Sequence, residues 1–155
     1  MFLSTCLEHN VFGKPAEGVG DRVMAMEKRH RKFAGVPEAI TPFYVNHEDT
    51  ECDLLLVGIT STGGAIDEAC EALEAEGKKV NHLHLRLLSP FPAEALRPYI
   101  EGAKKVLIVE EDLTEQLREL FAIHFSCHDK LLSCLQYDGT PFTASTILKK
   151  AKEVF

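Results

Sequence analysis

No stretch of the sequence stays apolar for long enough to span a bilayer. The longest uncharged segment, residues 54–66, is interrupted by Gly, Ser and Thr, whereas a spanning helix needs about 20 consecutive apolar residues. The opening "MFLSTCLEHN" lacks the basic segment of a secretory signal and reaches Glu8 almost at once. The five cysteines (Cys6, Cys52, Cys70, Cys127 and Cys134) contain no C-x-x-C pair. An odd, scattered set without a secretory signal implies reduced thiols in a cytoplasmic protein, used mainly as small core residues. That spacing also excludes a four-cysteine iron–sulfur cluster held by this chain alone. Clustered positive charge is scarce. The net charge is −7, the isoelectric point is near 5.5, and the one basic run is "EKRHRKF" at residues 27–33. Nucleic-acid binding neutralises many phosphates with Lys and Arg. Neither nucleic acid nor a membrane is therefore expected as a partner, and the run reads as a solvated helix face.

What is present suits a globular chain. Of 155 residues, 45% are hydrophobic and 26% charged, ordinary values that permit one substantial core. Residues 1–20 contain "VFGKPAEGVG" and read as an irregular arm. Residues 21–34 read as a helix that Asp21 could cap, and "GVPEAITP" reads as a linker. The expected organisation is residues 1–40 as arm, helix and linker, and residues 41–155 as the main domain.

From Phe43 onward, strands alternate with helices. "FYVN" (43–46), "DLLLVGI" (53–59), "KVNHLHLRLL" (79–88), "KVLIVEE" (105–111) and "KLLSCLQY" (130–137) read as strands. The second is apolar throughout, as a strand buried on both faces would be. Helices are expected over residues 64–76, after the proline turn "SPFP", over a stripe of Leu113, Leu117, Leu120, Phe121 and His124, and over residues 143–155. This alternation predicts a three-layer α/β/α sandwich on a mostly parallel sheet.

Two loops attract attention because helix starts after parallel strands often hold ligands. "GITSTGG" (58–64) follows a strand and opens a helix, offering Thr60, Ser61, Thr62, Gly63 and Gly64. It has neither G-x-G-x-x-G spacing nor a G-K-[ST] ending, so no nucleotide motif is present. A tight, hydroxyl-capped turn is the favoured reading of the pattern. "EEDLTEQ" (110–116) closes a second long strand with Glu110, Glu111, Asp112 and Gln116. Its carboxylates would repel a phosphate in a facing crevice, although they also suit the dipole at a helix start. "HLH" (His82, His84) and "HFSCH" (His124, Cys127, His128) each fall short of a metal-ligand set without an acid partner nearby in sequence. No catalytic residue and no metal site emerge, and the residues alone indicate an α/β domain.

Six segments in order resemble the α subunit of 2-oxoacid:ferredoxin oxidoreductases, notably the 2-oxoglutarate type. They are "CLEHNVFGKP" (6–15), "MEKRHRKF" (26–33), "LLLVGITSTGGAIDEA" (54–69), "LHLRLLSPFPAEAL" (83–96), "KKVLIVEEDLTEQL" (104–117) and "YDGTPFTASTI" (137–147). Three positions depart from the family pattern. Cys6 and Glu115 stand where glycine is usual, and Asp112 stands where asparagine is usual.

The resemblance implies a domain like the transketolase C-terminal domain, a five-stranded mixed sheet of order 1-3-2-4-5 with strand 1 antiparallel. It implies a fragment that lies next to a pyrimidine-binding domain and works with a β subunit. Thiamine diphosphate, magnesium, an iron–sulfur cluster and CoA would belong to the complete complex, and none would be bound by this chain alone. The domain would support subunit assembly without being catalytic itself. Val23, Met24, Met26 and Phe33 would then pack on the sandwich, pair with a second copy in a homodimer, or stay exposed. Two other readings stay open. One is a free-standing small-ligand or regulatory module using the crevice at the C-terminal ends of strands 53–59 and 105–111. The other is a pure interaction domain that docks on a separately encoded partner.

Overall fold

An asparagine turn organises the first segment. The computed structural model describes residue 4 and residues 6–155, and these form two compact units, Met1–Ile40 and Thr41–Phe155. In the first unit the Asn10 side-chain carbonyl accepts the backbone N–H groups of Phe12 (3.0 Å) and Lys14 (3.1 Å). The chain reverses there, and β1 (Glu8–His9) pairs antiparallel with β2 (Pro15–Ala16). The expected irregular arm is thus partly ordered, because Asn supplies a local acceptor that Gly/Pro composition does not reveal.

Helix α1 (Val19–Ala34) begins two residues earlier than expected. Gly18 holds the N-cap position, and Asp21 lies in the first turn, where its charge suits the helix dipole. No residue of α1 is buried; Val23, Met24, Met26 and Phe33 are all exposed. Arg29 donates two hydrogen bonds to Glu8, at 2.6 and 2.8 Å, and Arg22 adds a third contact. The Arg29 hydrogen bonds are the main reason the Glu8 carboxyl is held down at about 2. Part of the basic run therefore serves the hairpin rather than solvent. A short helix α2 (Val36–Ala39), started by Pro37, occupies the expected linker.

The second unit contains β3 (Phe43–Val45), β4 (Cys52–Ile59), α3 (Gly63–Ala75), β5 (Val80–Leu85), α4 (Ala93–Gly102), β6 (Ala103–Glu110), α5 (Gln116–His124), β7 (Leu131–Leu135) and α6 (Ala144–Val154). Its sheet runs β3-β5-β4-β6-β7. β3 is antiparallel to β5, and every other pairing is parallel. Numbered within this unit, the order is the expected 1-3-2-4-5 with strand 1 antiparallel.

Alternation along β4 makes two cores. Leu55 and Val57 pack toward α4 and α5 with Leu83, Leu96, Ile100, Ile108 and Phe121. Leu54 and Leu56 pack toward α3 and α6 with Ile66, Leu73, Leu107, Ile147 and Ala151. Side chains on a strand point alternately to its two faces, so a strand covered on both sides is apolar at every position. That is why the run at residues 53–59 was readable. Gly77, at φ +78°, ends α3 in the left-handed conformation that suits glycine, and Lys78 N–H returns to Leu73 C=O at 3.0 Å.

Two expectations need correction. Leu113 does not belong to the helical stripe: α5 starts only at Gln116, and Leu113 is exposed in the preceding loop. The strand expected over residues 79–88 stops at Leu85, where the chain leaves the sheet before the proline turn. Among the described residues, no helix is long and apolar enough to cross a membrane.

Candidate functional site

The parallel strands β4 and β6 are neighbours, and their connections leave the sheet in opposite directions. The crevice between their C-terminal ends is therefore the switch point of the sheet. On one wall the chain leaves β4 through a 3-10 turn, Thr60–Thr62, and enters α3 at Gly63. Thr60 has φ +56°. Thr62 is buried, and its hydroxyl accepts Ile59 N–H at 3.0 Å while donating to Ile59 C=O at 2.9 Å. This hydroxyl closes the turn rather than capping α3, which has no side-chain cap.

The glycines have packing roles. A Cβ on Gly58 would come within 2.3 Å of Ile66 Cδ1, and one on Gly63 would lie 3.0 Å from His84 Cε1 and 3.2 Å from Tyr44 Oη. A Cβ on Gly64 would meet nothing within 4 Å. Close approach explains two of these glycines, and no phosphate is needed to account for them.

The opposite wall is built around a buried acid. Glu110, the last residue of β6, is 2% exposed. Its carboxyl accepts the N–H of Leu117 at 2.6 Å and of Arg118 at 3.3 Å, both in the first turn of α5. Burial pushes the Glu110 carboxyl up to about 7; the two N–H groups oppose that rise, and Asp112 adds to it. At Asp112 burial also pushes upward, but the hydrogen bond from Glu110 and backbone N–H groups hold this carboxyl below its usual value. The donors that could hold an anion at this helix start are engaged by the chain's own acid.

Glu115, immediately before α5, has φ +57°. A residue with a Cβ is disfavoured there, and this is the position where the resembled pattern has glycine. Ser61 Oγ donates to Glu111 Oε2 at 3.0 Å and ties the two walls together.

Of the residues expected in the crevice, Thr60, Glu110 and Gln116 line one cavity of about 380 Å³, together with Ile59, Leu88 and Leu117. Ser61 lines a separate depression with Gln136 and Tyr137. Thr62 and Gly63 lie in the packing beneath. Sequence reasoning missed Leu88, which comes from a third loop, the one after β5. It also missed an adjoining cavity of about 580 Å³ that shares Ile59, Thr60 and Leu88 and adds His84 and Arg86.

His82 and His84 do share one face of β5, and the fold supplies an acid partner that sequence spacing did not suggest. His82 Nδ1 lies 2.7 Å from Asp67 Oδ1, which Asn46 also contacts at 2.9 Å. Burial pushes the Asp67 carboxyl up, but these hydrogen bonds outweigh it and hold the carboxyl below its usual value. Burial lowers both histidines. Tyr44 stacks on His84 at 5.0 Å between ring centroids. His124 instead stacks on Phe91, at 4.5 Å.

Among the described residues there is no group of three or more His, Cys, Asp or Glu that could hold a metal. The buried thiols of Cys52, Cys70 and Cys134 are pushed up to about 11, 12 and 11 by burial.

Comparison with known proteins matches residues 52–139 to the family described as pyruvate:ferredoxin oxidoreductase core domain II. The α subunit of 2-oxoacid:ferredoxin oxidoreductase 2 from Aeropyrum pernix is 34% identical over 97% of this chain, which spans 24% of that relative. A solved structure of 2-oxoglutarate:ferredoxin oxidoreductase from Magnetococcus marinus, with 2-oxoglutarate, coenzyme A and succinyl-CoA bound, superposes on 99% of this chain. Its TM-score is 0.86 at 27% identity, and this chain covers 27% of it. A split-gene transketolase shares the fold, with a TM-score of 0.57 at 20% identity over 72% of this chain and 40% of its own. The chain thus spans about a quarter of the oxidoreductase relatives it matches.

Proposed function

From its membership of the pyruvate:ferredoxin oxidoreductase core domain II family, we propose that the chain is the transketolase C-terminal-like domain of a 2-oxoacid:ferredoxin oxidoreductase α subunit. In this reading 2-oxoglutarate is the substrate. The domain supports assembly with a pyrimidine-binding domain and a β subunit, and carries no catalytic residue. Thiamine diphosphate, magnesium, the iron–sulfur cluster and CoA act in the assembled complex; thiamine diphosphate would supply carbanion stabilisation and the cluster one-electron transfer. The observation that carries the proposal is the coincidence of two ranges: the family match over residues 52–139 falls on the sheet from β4 to β7, and the superposition extends through residues 1–40 as well.

The chemistry of the crevice supports a non-catalytic role. Its most perturbed acid, Glu110, is committed to the start of α5. Reconstitution tests the proposal. Combining this chain with the remaining α-subunit domains and a β subunit should give CoA-dependent reduction of ferredoxin by 2-oxoglutarate, faster than with pyruvate or indolepyruvate. Full activity without this chain, or a preference for another 2-oxoacid, refutes it.

A second reading is favoured by the adjoining cavities at the ends of β5, β4 and β6. The domain there binds a small ligand in its own right.

A further inference from the structure

Helix α1 has no core of its own to rest on. Among the described residues of the first unit none is buried, and an isolated helix of 16 residues is marginal in water. Val19, Val23, Met26, His30 and Phe33 recur along α1 at intervals of four and three residues. That heptad spacing places side chains on one stripe of a helix. All five are exposed, the four apolar ones at 83, 51, 48 and 46%. The hairpin does not cover them; it meets the helix to one side, along Ala25, Lys28, Arg29 and Lys32. A contiguous apolar stripe left open in this way marks an interaction surface.

The charges beside the stripe identify what fits it. In heptad terms Val19, Met26 and Phe33 take d positions, and Val23 and His30 take a positions. Arg22 is then a g residue, and Glu27 is the e residue of the next heptad. In a parallel pair of such helices the g residue of one meets that e residue of the other, so Arg22 of each copy faces Glu27 of its counterpart. Arg22 contacts Glu8 through one nitrogen and is 61% exposed, which leaves further donors on its guanidinium. Glu27 makes no hydrogen bond or ion pair among the described residues. An antiparallel pair would instead set the cationic g residues Arg22 and Arg29 against each other. His30 occupies a central a position, where a polar residue fixes register at a cost in stability.

We propose that α1 pairs in parallel with α1 of a second copy of this chain, with the five stripe residues in the seam and an Arg22–Glu27 ion pair on each side. A partner of another kind needs an apolar face, but not these two opposite charges at this spacing within one helix. The pairing goes beyond the oxidoreductase reading and does not depend on which 2-oxoacid is used. The seam spans two heptads, so the interface lies at the small end of specific contacts. The dimer is therefore reversible, with a Kd of about 10–100 µM.

Sedimentation velocity of the full chain from about 5 to 500 µM tests the pairing, and the parent chain should pass from monomer to dimer over that range. Three variants alter exposed side chains, and circular dichroism checks that each keeps the native spectrum. Val23→Glu should leave only monomer, because two carboxylates then meet in the seam. Glu27→Lys should weaken the dimer at least about tenfold, because an ammonium then faces Arg22. His30→Leu should tighten it at least about fivefold by removing the polar pair from the seam. If Val23→Glu alters the spectrum, the other two variants decide. A chain that stays monomeric at about 500 µM overturns the proposal. A dimer that persists in Val23→Glu overturns it by placing the interface elsewhere. Unchanged affinity in Glu27→Lys overturns the parallel arrangement, and unchanged affinity in His30→Leu takes His30 out of the seam and overturns the proposal as well.

Discussion

Replacing Glu110 by glutamine should change the pH dependence of stability more than stability itself. Two effects compete at this carboxyl. Burial at 2% exposure disfavours the charged form, whereas the Leu117 and Arg118 N–H groups at the start of α5 favour it. Burial wins, and the folded carboxyl titrates at about 7 instead of the ordinary 4.5. Between those values the folded chain holds a proton that the unfolded chain has released. Stability must then fall as pH rises through the window: the contribution is fully present below about 4.5 and fully lost above about 7. At 1.36 kcal/mol per pH unit, the interval is worth about 3 kcal/mol.

Glutamine keeps the volume and an acceptor oxygen for Leu117 N–H, but cannot ionise. Relative to the parent chain, Glu110→Gln should therefore gain about 3 kcal/mol between pH 4.5 and pH 8, or roughly 6–12 °C in melting temperature. His82 and His84 act in the opposite sense. Burial lowers them, so their contribution is present above 6.5 and is lost as pH falls. They are common to both proteins and cancel in the difference. Urea unfolding followed by circular dichroism at pH 4.5, 6, 7 and 8 measures that difference directly. If it stays constant within about 0.5 kcal/mol, the helix N–H groups outweigh burial, Glu110 is ionised at neutral pH, and the reasoning is wrong.

Other perturbations probe the same walls. Gly63→Val should destabilise by about 1–3 kcal/mol, since its side chain must displace His84 and Tyr44. Gly64→Ala, which meets open space in the first turn of α3, should be neutral or stabilising by up to about 1 kcal/mol. Equal effects of the two in thermal melts would remove the packing explanation of the glycine turn. Glu115→Gly should stabilise by about 1 kcal/mol, because the left-handed backbone at φ +57° then carries no Cβ; a measured loss would mean that the contact of Glu115 with Arg118, at 3.2 Å, matters more. A chain reduced to residues 41–155 should unfold cooperatively on heating, because both hydrophobic cores lie wholly within that range. A spectrum without native helix and strand would show instead that residues 1–40 complete the fold.

Legibility followed physical periodicity. β4 and β6 were readable because burial on both faces demands apolar residues at every position, and α3 was readable from its stripe and from Gly77. The sheet order came from the resemblance, since no periodicity within a strand specifies its neighbour. The hairpin of the first unit was hidden because it rests on one Asn10 side chain, not on a pattern. The start of α5 was misplaced for a related reason: Leu113 continues the helical spacing of Leu117 and Leu120, but Glu110 draws the N–H groups of Leu117 and Arg118 to itself and sets the helix start at Gln116.

The candidate site was half legible for the same kind of reason. Thr60, Glu110 and Gln116 follow strands whose adjacency could be argued, so their meeting was foreseeable. The Asp67–His82 contact joins a helix to a strand 15 positions on, at a spacing that belongs to no local motif. Leu88 and Arg86 enter the adjoining cavities because β5 stops at Leu85, before its apolar pattern does, and the chain turns across the sheet edge. A strand end is decided by what the neighbouring strands can pair with, not by the residues of the strand itself. Ligand grooves at sheet edges are lined by the residues just beyond such ends, so a single sequence can indicate which loops border a site while leaving open which side chains face it.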